Sequence, residues 1–499
     1  MAASSVFLSM IPGSSFTNIL LLCVILVTVF FFLSKKNNLP PGPWNPIPYI
    51  GFAPNIAYAL YKGEPLYKFL IKLGNKHGQV FSFTALGMPI VVLNEYQAIR
   101  EAFQNTKLSD RGENKIQAKV LSRSYNKWVD MGPFRTFTLA CFRQFGVGTS
   151  RFEEPICKES TYLIEELASL KGRTVDLTWH FNNAVSNIIS KVVFGTRFEF
   201  TDERIHRLNS LLNRLAQLFG AGALEVCIPI NIPSKAKQEL LKVVDELHIF
   251  INSMIESHSK NVDSKNLNDL IDLWLNEIRL HKSDDPNSFR NPDNMVGLIL
   301  ALFFAGTDTT SNTLRWGSQY LVRYPKVQDR IHYEIDTVVG RNRLPKLADK
   351  PILPYTQAFI AELHRIISLA PLSVFHGAGD TTTFRGYTIP KNSVVISNLY
   401  AVMHSPELWG DPEEFRPERF LDDDGNFHEL NVLIPFGIGR RVCLGEALAR
   451  QELFIFFTHL LHQFKFEKTS EDAPMPTLKP IEGLVLHPEP YKLRVTKRD

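Results

Sequence analysis

Pro435-Phe436-Gly437-Ile438-Gly439-Arg440-Arg441-Val442-Cys443-Leu444-Gly445-Glu446 is the stretch on which the reading of this chain turns. Gly437, Gly439 and Gly445 allow the backbone to lie tightly against something flat and large. A helical pattern, Glu446-Ala447-Leu448-Ala449-Arg450, begins directly after the thiol. A lone cysteine is more often an inert buried thiol than a ligand. Here a helix N-terminus and two arginines both favour the thiolate, which is the form that binds metal. A dinucleotide-binding turn is excluded, because Gly437 and Gly439 have no third glycine at Val442 and no strand–turn–helix unit surrounds them.

Working outward, the longest helical pattern starts after Asn291-Pro292, an N-cap followed by proline at the first helical position. It runs to Tyr324, just before Pro325. Its stretch Met295–Ala305 is almost wholly apolar but too short for a membrane span, which predicts a helix buried through the core. In its middle stands Ala305-Gly306-Thr307-Asp308-Thr309-Thr310. Threonines that bond back to helix carbonyls are common, but an aspartate in so apolar a helix needs a partner or a task. Glu362-Leu363-His364-Arg365 sets an ion pair at i,i+3 on one helix face, and Pro417-Glu418-Arg419-Phe420 lies downstream. Strands are few. Val80–Thr84 and Ile90–Leu93 around Gly87 read as a hairpin, and Phe384–Ile389 with Val394–Ser397, turned at Pro390-Lys391-Asn392, as a second. Most of the remainder is helical by apolar spacing and breaker positions, so the fold class is mainly α with small β-sheets.

The 499 residues are 44% apolar and 21% charged, which excludes disordered, collagenous and wholly membrane-embedded chains. A net charge of +4 gives no argument for a nucleic-acid partner. The five cysteines, Cys23, Cys141, Cys157, Cys227 and Cys443, are odd in number and include no C-x-x-C pair. Neither a disulfide scaffold nor a structural zinc site is expected, and the body of the chain reads as residing in a reducing compartment.

From Ile19 to Leu33 the sequence is ILLLCVILVTVFFFL. With its flanks it approaches the span of about 20 residues that crosses a bilayer. No Lys or Arg precedes it and no small-x-small site follows, which argues against a cleaved signal peptide. Lys35 and Lys36 directly after it predict that the downstream chain stays in the cytosol. Pro40-Pro41-Gly42-Pro43-Trp44-Asn45-Pro46-Ile47-Pro48 cannot be helical and reads as a short, stiff, oriented spacer. The expected organisation is an N-terminal membrane anchor over 1–36, a proline-rich linker over 37–48, and one large body over 49–499. The apolar segment from Phe219 to Pro233 is equally a buried connection or a loop that dips into lipid.

The segment ending at Gly445 resembles the haem-binding loop of the cytochrome P-450 superfamily, Phe-x-x-Gly-x-Arg-x-Cys-x-Gly. It matches at Phe436, Gly439, Arg441, Cys443 and Gly445. The resemblance implies the fold of that family, a long buried central helix over haem, with 49–499 as a haem-thiolate catalytic domain. It implies haem b (iron protoporphyrin IX) as cofactor, Cys443 as the axial thiolate on iron, and Arg441 paired with a propionate. Phe436 and Gly437 belong to the same cradle, and His376, Arg111 and Arg135 fall at further propionate positions. Ala305 and Gly306 would lie against haem, Gly306 permitting a local opening of the helix. Thr309 would steady oxygen there, and Asp308 would relay protons from solvent. Glu362, Arg365 and Arg419 would close a buried network, whose disruption costs about 3–5 kcal/mol. Phe303, Phe304, Ala305, Leu372, Ser373 and Val374 would line an apolar substrate pocket.

The similarity runs from the proline linker to the C-terminus and is closest to the microsomal animal enzymes. It implies a monooxygenase anchored in the endoplasmic reticulum membrane by a single N-terminal span, its catalytic domain cytosolic. Electrons would come from NADPH-cytochrome P-450 reductase, with cytochrome b5 as a second donor. The lipid bilayer and a lipophilic substrate (steroid, fatty acid or xenobiotic) are the other expected partners. Two further readings stay open: a haem-dependent isomerase or dehydratase, and a non-catalytic haem-binding membrane protein. The intact Asp308–Thr309 pair argues against the former.

The latter is motivated by one departure. Relatives carry Asp-Gly-Pro-x-Trp-x-x-x-Arg-Arg-Phe at the start of a helix beside haem, whereas this chain has Asp130-Met131-Gly132-Pro133-Phe134-Arg135-Thr136-Phe137. Aligned on Phe145-Gly146-Val147-Gly148, Arg135 keeps the first arginine, Met131 replaces the tryptophan, and the run is shorter by about one helical turn. Trp128 cannot reach the same helix face as that tryptophan, and Pro133 is expected to make the helix start later. A propionate contact should be lost or rebuilt, and the surface that docks the electron donor altered.

Overall fold

The computed structural model describes residues 21–25, 38–44, 47, 49–110, 131–221, 235–260, 267–281, 288 and 290–498. At its centre is the helix Pro292–Arg323, 32 residues long. Met295, Val296, Ile299, Leu300 and Phe303 are all buried within its apolar half. Helix Thr178–Phe194 lies along it over the most extensive helix–helix contact among the described residues. The approach is close at Gly306, where a Cβ would stand 2.5 Å from Ile189 Cδ1. The central helix is continuous through this point. It is not opened at Gly306, and the missing side chain there accommodates Ile189.

Helix Glu446–Gln463, which follows the glycine-rich loop, packs between the central helix and helix Glu153–Ser169. It buries Leu453, Phe454, Ile455, Phe456 and Phe457 in succession. Apolar residues on every face mark a helix enclosed on all sides. The buried polar residues of Thr178–Phe194 find partners, as when Asn187 Nδ2 donates to Glu159 Oε1 at 3.0 Å and to Phe198 O at 2.8 Å.

The largest sheet has four strands in the order Val80–Ala85, Met88–Leu93, Val394–Ser397, His376–Gly377. Val80–Ala85 and Met88–Leu93 form the expected antiparallel hairpin, with Phe81 opposite Val92. The second expected hairpin is not formed. Thr382–Phe384 instead turns back on Tyr387–Ile389 through Arg385 and Gly386, both at positive φ, a two-residue turn that splits the run. Val394–Ser397 joins Met88–Leu93 in parallel and His376–Gly377 in antiparallel fashion.

The proline-rich segment is fixed in place where it is described. Ser82 N and Oγ donate to Pro41 O and Pro40 O at 2.8 and 2.6 Å, and Thr388 N donates to Asn38 O at 2.6 Å. Of the expected anchor only Leu21–Ile25 is described, as helix with exposed side chains. Among the described residues no helix is long and apolar enough to cross a membrane. The segment 222–234, with most of the apolar loop, lies outside the described residues.

Candidate functional site

The loop before helix Glu446–Gln463 closes on itself when Cys443 N donates to Phe436 O at 2.9 Å. Gly439–Arg441 makes one 3-10 turn inside it. Gly437 and Gly439 take φ of +77° and +82°, which only glycine adopts without strain. A Cβ on Gly439 would also fall 2.6 Å from Phe103 O, so the loop is pressed onto helix Tyr96–Gln104. The Phe436 ring meets His364 edge-on at 5.2 Å and lies 5.1 Å from the Arg450 guanidinium. These contacts fix the start of the loop against helices Pro354–Ile367 and Glu446–Gln463.

Cys443 is exposed, yet the protein crowding its other sides raises its pKa. The backbone N–H groups of Gly445 and Glu446 and the charge of Arg135 oppose that rise, and the Glu446 carboxylate adds to it. The helix start therefore favours the thiolate as expected, but burial outweighs it. The leading cation acting on the sulfur is Arg135, from another helix, rather than Arg440 or Arg441. A metal that binds only the thiolate would supply the remaining drive. The buried Cys141 and the half-buried Cys157, pushed up to about 12 and about 11 by burial, are inert by comparison.

Arg135 Nη2 donates to Val442 O at 2.8 Å, and Arg441 Nε to Ser109 O at 3.2 Å. The Arg135 pKa is lowered by burial and then by the charge of Arg441. Two cations thus face one site, and among the described residues neither has a carboxylate partner. His376 is buried and stacks on Phe103 with ring centres 3.9 Å apart, while Gly377 N donates to Asp110 O at 2.7 Å. His376, the end of the segment at Ser109–Asp110 and the loop Gly439–Arg441 thereby converge around Phe103. Arg111 and Trp128 lie outside the described residues. Helix Met131–Phe145 begins at Met131, so Pro133 does not delay it. The proline sits in the first turn, where no intrahelical bond is lost.

An accessible thiol, a glycine-shaped cradle and two cations lacking a counter-charge fit a planar iron porphyrin with two carboxylates.

Glu362 and Arg365 are fully buried, and Arg419 joins them from the edge of the network. Arg365 Nε and Nη2 donate to Glu362 Oε2 and Oε1 at 2.7 and 2.8 Å, and Arg419 Nε to Oε1 at 3.1 Å. Arg365 Nη1 bonds Met403 O and Pro412 O, so it ties helix Pro354–Ile367 to the segment that leads into the loop.

On the central helix, Thr309 Oγ1 donates to Ala305 O at 2.7 Å. Asp308 is engaged at both oxygens: Asn312 Nδ2 donates to Oδ1 at 3.0 Å and His487 Nε2 meets Oδ2 at 3.0 Å. Ala305 and Val374 are exposed, and Phe304, Leu372 and Ser373 are half-buried. Phe303 has no exposed surface and packs against Phe194. His487 escaped the sequence reading. It lies 179 residues from Asp308 in a short extended segment, where no spacing rule links the two. Glu452, buried in helix Glu446–Gln463 against Thr310, also escaped, although an acid amid Leu453–Phe457 is a visible anomaly.

Residues 40–495 match the family model described as Cytochrome P450. Among curated proteins, cytochrome P450 2G1 of Rattus norvegicus is 35% identical over 496 residues, 96% of this chain and 98% of that protein. Cytochrome P450 2U1 of Bos taurus is 35% identical over 454 residues, 87% of this chain and 82% of that protein. Cytochrome P450 2A9 of Mesocricetus auratus is 35% identical over 450 residues, 88% and 90% of the two chains.

Proposed function

The chain belongs to the cytochrome P450 family, and from that premise we propose a membrane-anchored haem-thiolate enzyme that hydroxylates a steroid, fatty acid or xenobiotic with electrons from an NADPH-dependent reductase. Family membership makes it a cytochrome P450 monooxygenase with a haem-thiolate iron cofactor, acting on lipophilic substrates. The observation that carries the rest is the exposed Cys443 on a loop that two uncompensated arginines flank.

Cys443 Sγ would hold the iron of haem b. Arg135 and Arg441, with His376 and Arg111, would meet the propionates, and Phe436 and Gly437 would complete the cradle. The chemistry supplied by the bound haem is the reductive activation of O2, one atom entering the substrate and the other leaving as water. Ala305 and Gly306 would form the wall above it. Thr309 would hold a proton at Oγ1, which Ala305 O keeps oriented, and Asp308 would renew that proton from its carboxylate. Phe304, Ala305, Leu372, Ser373 and Val374 would line the substrate pocket, with Phe303 behind them. The wall is apolar, which suits a lipophilic substrate. Glu362, Arg365 and Arg419 would hold the surrounding framework.

Residues 1–36 would anchor the chain in the endoplasmic reticulum membrane, 37–48 would orient it, and 49–499 would form the cytosolic catalytic domain. NADPH-cytochrome P450 reductase, with cytochrome b5 as a second donor, would supply electrons. The uncharged run at 19–33, apolar but for Thr28, and the lysines after it support this reading.

The deciding experiment is the carbon monoxide difference spectrum of the reduced, membrane-expressed protein. A Soret band far to the red of histidine-ligated haem is expected, and Cys443→Ala should abolish both the band and NADPH-driven turnover. A band at the histidine-ligated position in the unmodified protein, or turnover retained without Cys443, would refute the assignment.

A further inference from the structure

We propose that His487 is the group through which Asp308 exchanges its proton with solvent, an inference that rests on reading Asp308 as the acid beside Thr309. His487 Nε2 lies 3.0 Å from Asp308 Oδ2, and the two side chains keep 19% and 11% of their exposure. On the other side of the carboxylate, Asn312 Nδ2 donates to Oδ1 at 3.0 Å and to Asp308 O at 2.7 Å. Arg315 Nη1 holds that amide by donating to Asn312 Oδ1 at 2.8 Å. One carboxylate oxygen is thus fixed by an amide that does not titrate, and the other meets a ring that carries protons.

The segment presenting His487 is fastened to the same helix. Trp316 Nε1 donates to Leu486 O at 2.8 Å, Arg315 Nη2 to Pro488 O at 3.3 Å, and Tyr491 OH to Arg315 O at 2.6 Å. Leu486 N donates to Leu369 O at 2.8 Å. With its neighbours bonded on both sides, the backbone that presents the imidazole cannot leave the central helix without breaking several bonds. This distinguishes it from a loose surface pair, whose contribution is roughly 0–1 kcal/mol. The charge of Arg315 interacts with that of Asp308, and Tyr491 and Asp176 face Arg315 in turn. Arg315 is buried and stays charged. Among the described residues no group bonds to His487 Nδ1.

An imidazole has one nitrogen to accept a proton and another to donate one, which fits it to stand between water and a carboxylate. A hydronium ion protonates Nδ1, giving the imidazolium and water. The Nε2 proton passes to Asp308 Oδ2, leaving a neutral carboxylic acid and the Nδ1–H tautomer. Once Asp308 has passed its proton on, the side chain rotates so that Nε2 takes a proton from water while Nδ1 releases one, and it returns as the Nε2–H form, so charge and atoms balance and no redox partner is needed. His487 is a positioning residue that acts through Asp308.

The test uses the full-length holoenzyme with reductase, NADPH and lauric acid as apolar probe, reading NADPH oxidation in H2O and in D2O. His487→Gln keeps an N–H near Asp308 but cannot relay a proton. Oxidation should slow by about tenfold with a larger solvent isotope effect, while the carbon monoxide spectrum stays unchanged. Asp308→Asn should slow oxidation at least as much, and adding His487→Gln to it should change nothing further. Independently of turnover, the ring-15N signal of His487, assigned by its loss in His487→Gln, should shift in Asp308→Asn. A wild-type rate and isotope effect in His487→Gln, or an unmoved ring signal in Asp308→Asn, would overturn the proposal. Wild-type oxidation in Asp308→Asn would overturn the reading of Asp308 itself.

Discussion

Arg365 grips Glu362 with two parallel hydrogen bonds of 2.7 and 2.8 Å in a place where neither side chain has any exposed surface. Every remaining valence of the pair is used: Arg365 Nη1 and Nη2 reach three carbonyls, and Glu362 also accepts from Arg416 N and Arg419 Nε. A charge can stay so far from water only because its counter-charge and these carbonyls replace the lost hydration. Glu362→Gln keeps the volume but strands the buried charge of Arg365, while Arg419 retains Asp411. It should cost about 3–5 kcal/mol and yield little haem-loaded protein. The measurement is the urea midpoint together with haem per chain. A variant of wild-type stability would show that solvent reaches the network.

The two positive-φ glycines of the loop differ in a way that can be checked. Gly437 has nothing within 4 Å of where a Cβ would stand, whereas at Gly439 that atom would overlap Phe103 O. Gly437→Ala carries only the left-handed conformational penalty, about 1–2 kcal/mol. Gly439→Ala adds a clash with rigid backbone and must lift the loop off helix Tyr96–Gln104. Haem content should fall modestly in the first variant and be lost in the second. Equal haem content in the two would mean that the loop does not rest on Phe103.

Arg135 offers a separation of haem binding from folding. Without an anion it is disfavoured both by burial and by Arg441, so Arg135→Ala relieves a repulsion while losing the bond to Val442 O. Stability of the haem-free chain should change by under about 1 kcal/mol. A charge-assisted bond to a carboxylate contributes about 1.5–3 kcal/mol, so haem should leave at least about tenfold faster. Transfer of haem to apomyoglobin measures the rate. Unchanged transfer would show that the shortened segment around Met131 has withdrawn Arg135 from the cofactor.

What the sequence disclosed and what it withheld divide along one physical line. The loop at Cys443, the extent of the central helix and the Glu362–Arg365 spacing are local patterns, written in residues that are neighbours in the chain. The Asp308–His487 contact spans 179 residues, and the parallel pairing of Val394–Ser397 with Met88–Leu93 depends on a crossover of about 300 residues of chain, for which no turn signal exists. Phe303 and Phe304 are adjacent letters, yet the first is enclosed by Phe194 and the second is half-buried. Which way each side chain turns is decided by helix Thr178–Phe194, and nothing at positions 303 and 304 encodes it. Arg135 acts on Cys443 from across the fold, while the adjacent arginines that drew attention do not lead.

Glu452 ties stability to pH in an unusual direction. It is 1% exposed, bonds to Thr310, and has no partner for Oε1 among the described residues. Burial pushes its pKa up to about 8, the Thr310 bond opposing. An unfolded glutamate titrates at about 4.3. Between those values the folded chain retains a proton that the unfolded chain has released, so this residue lowers stability progressively as pH rises, and its effect levels off above the folded pKa. The slope is about 1.4 kcal/mol per pH unit. Glu452→Gln abolishes the titration without changing the side-chain volume, and comparison with wild type cancels every other titrating group. The stability advantage of the variant should therefore widen steadily from roughly pH 5 to pH 8 and then become constant. Urea midpoints measured for both proteins across that range decide it. Parallel curves would mean that water or an ion pair reaches the carboxylate, and that the apolar packing between the central helix and the helix after Cys443 is looser than its side-chain burial indicates.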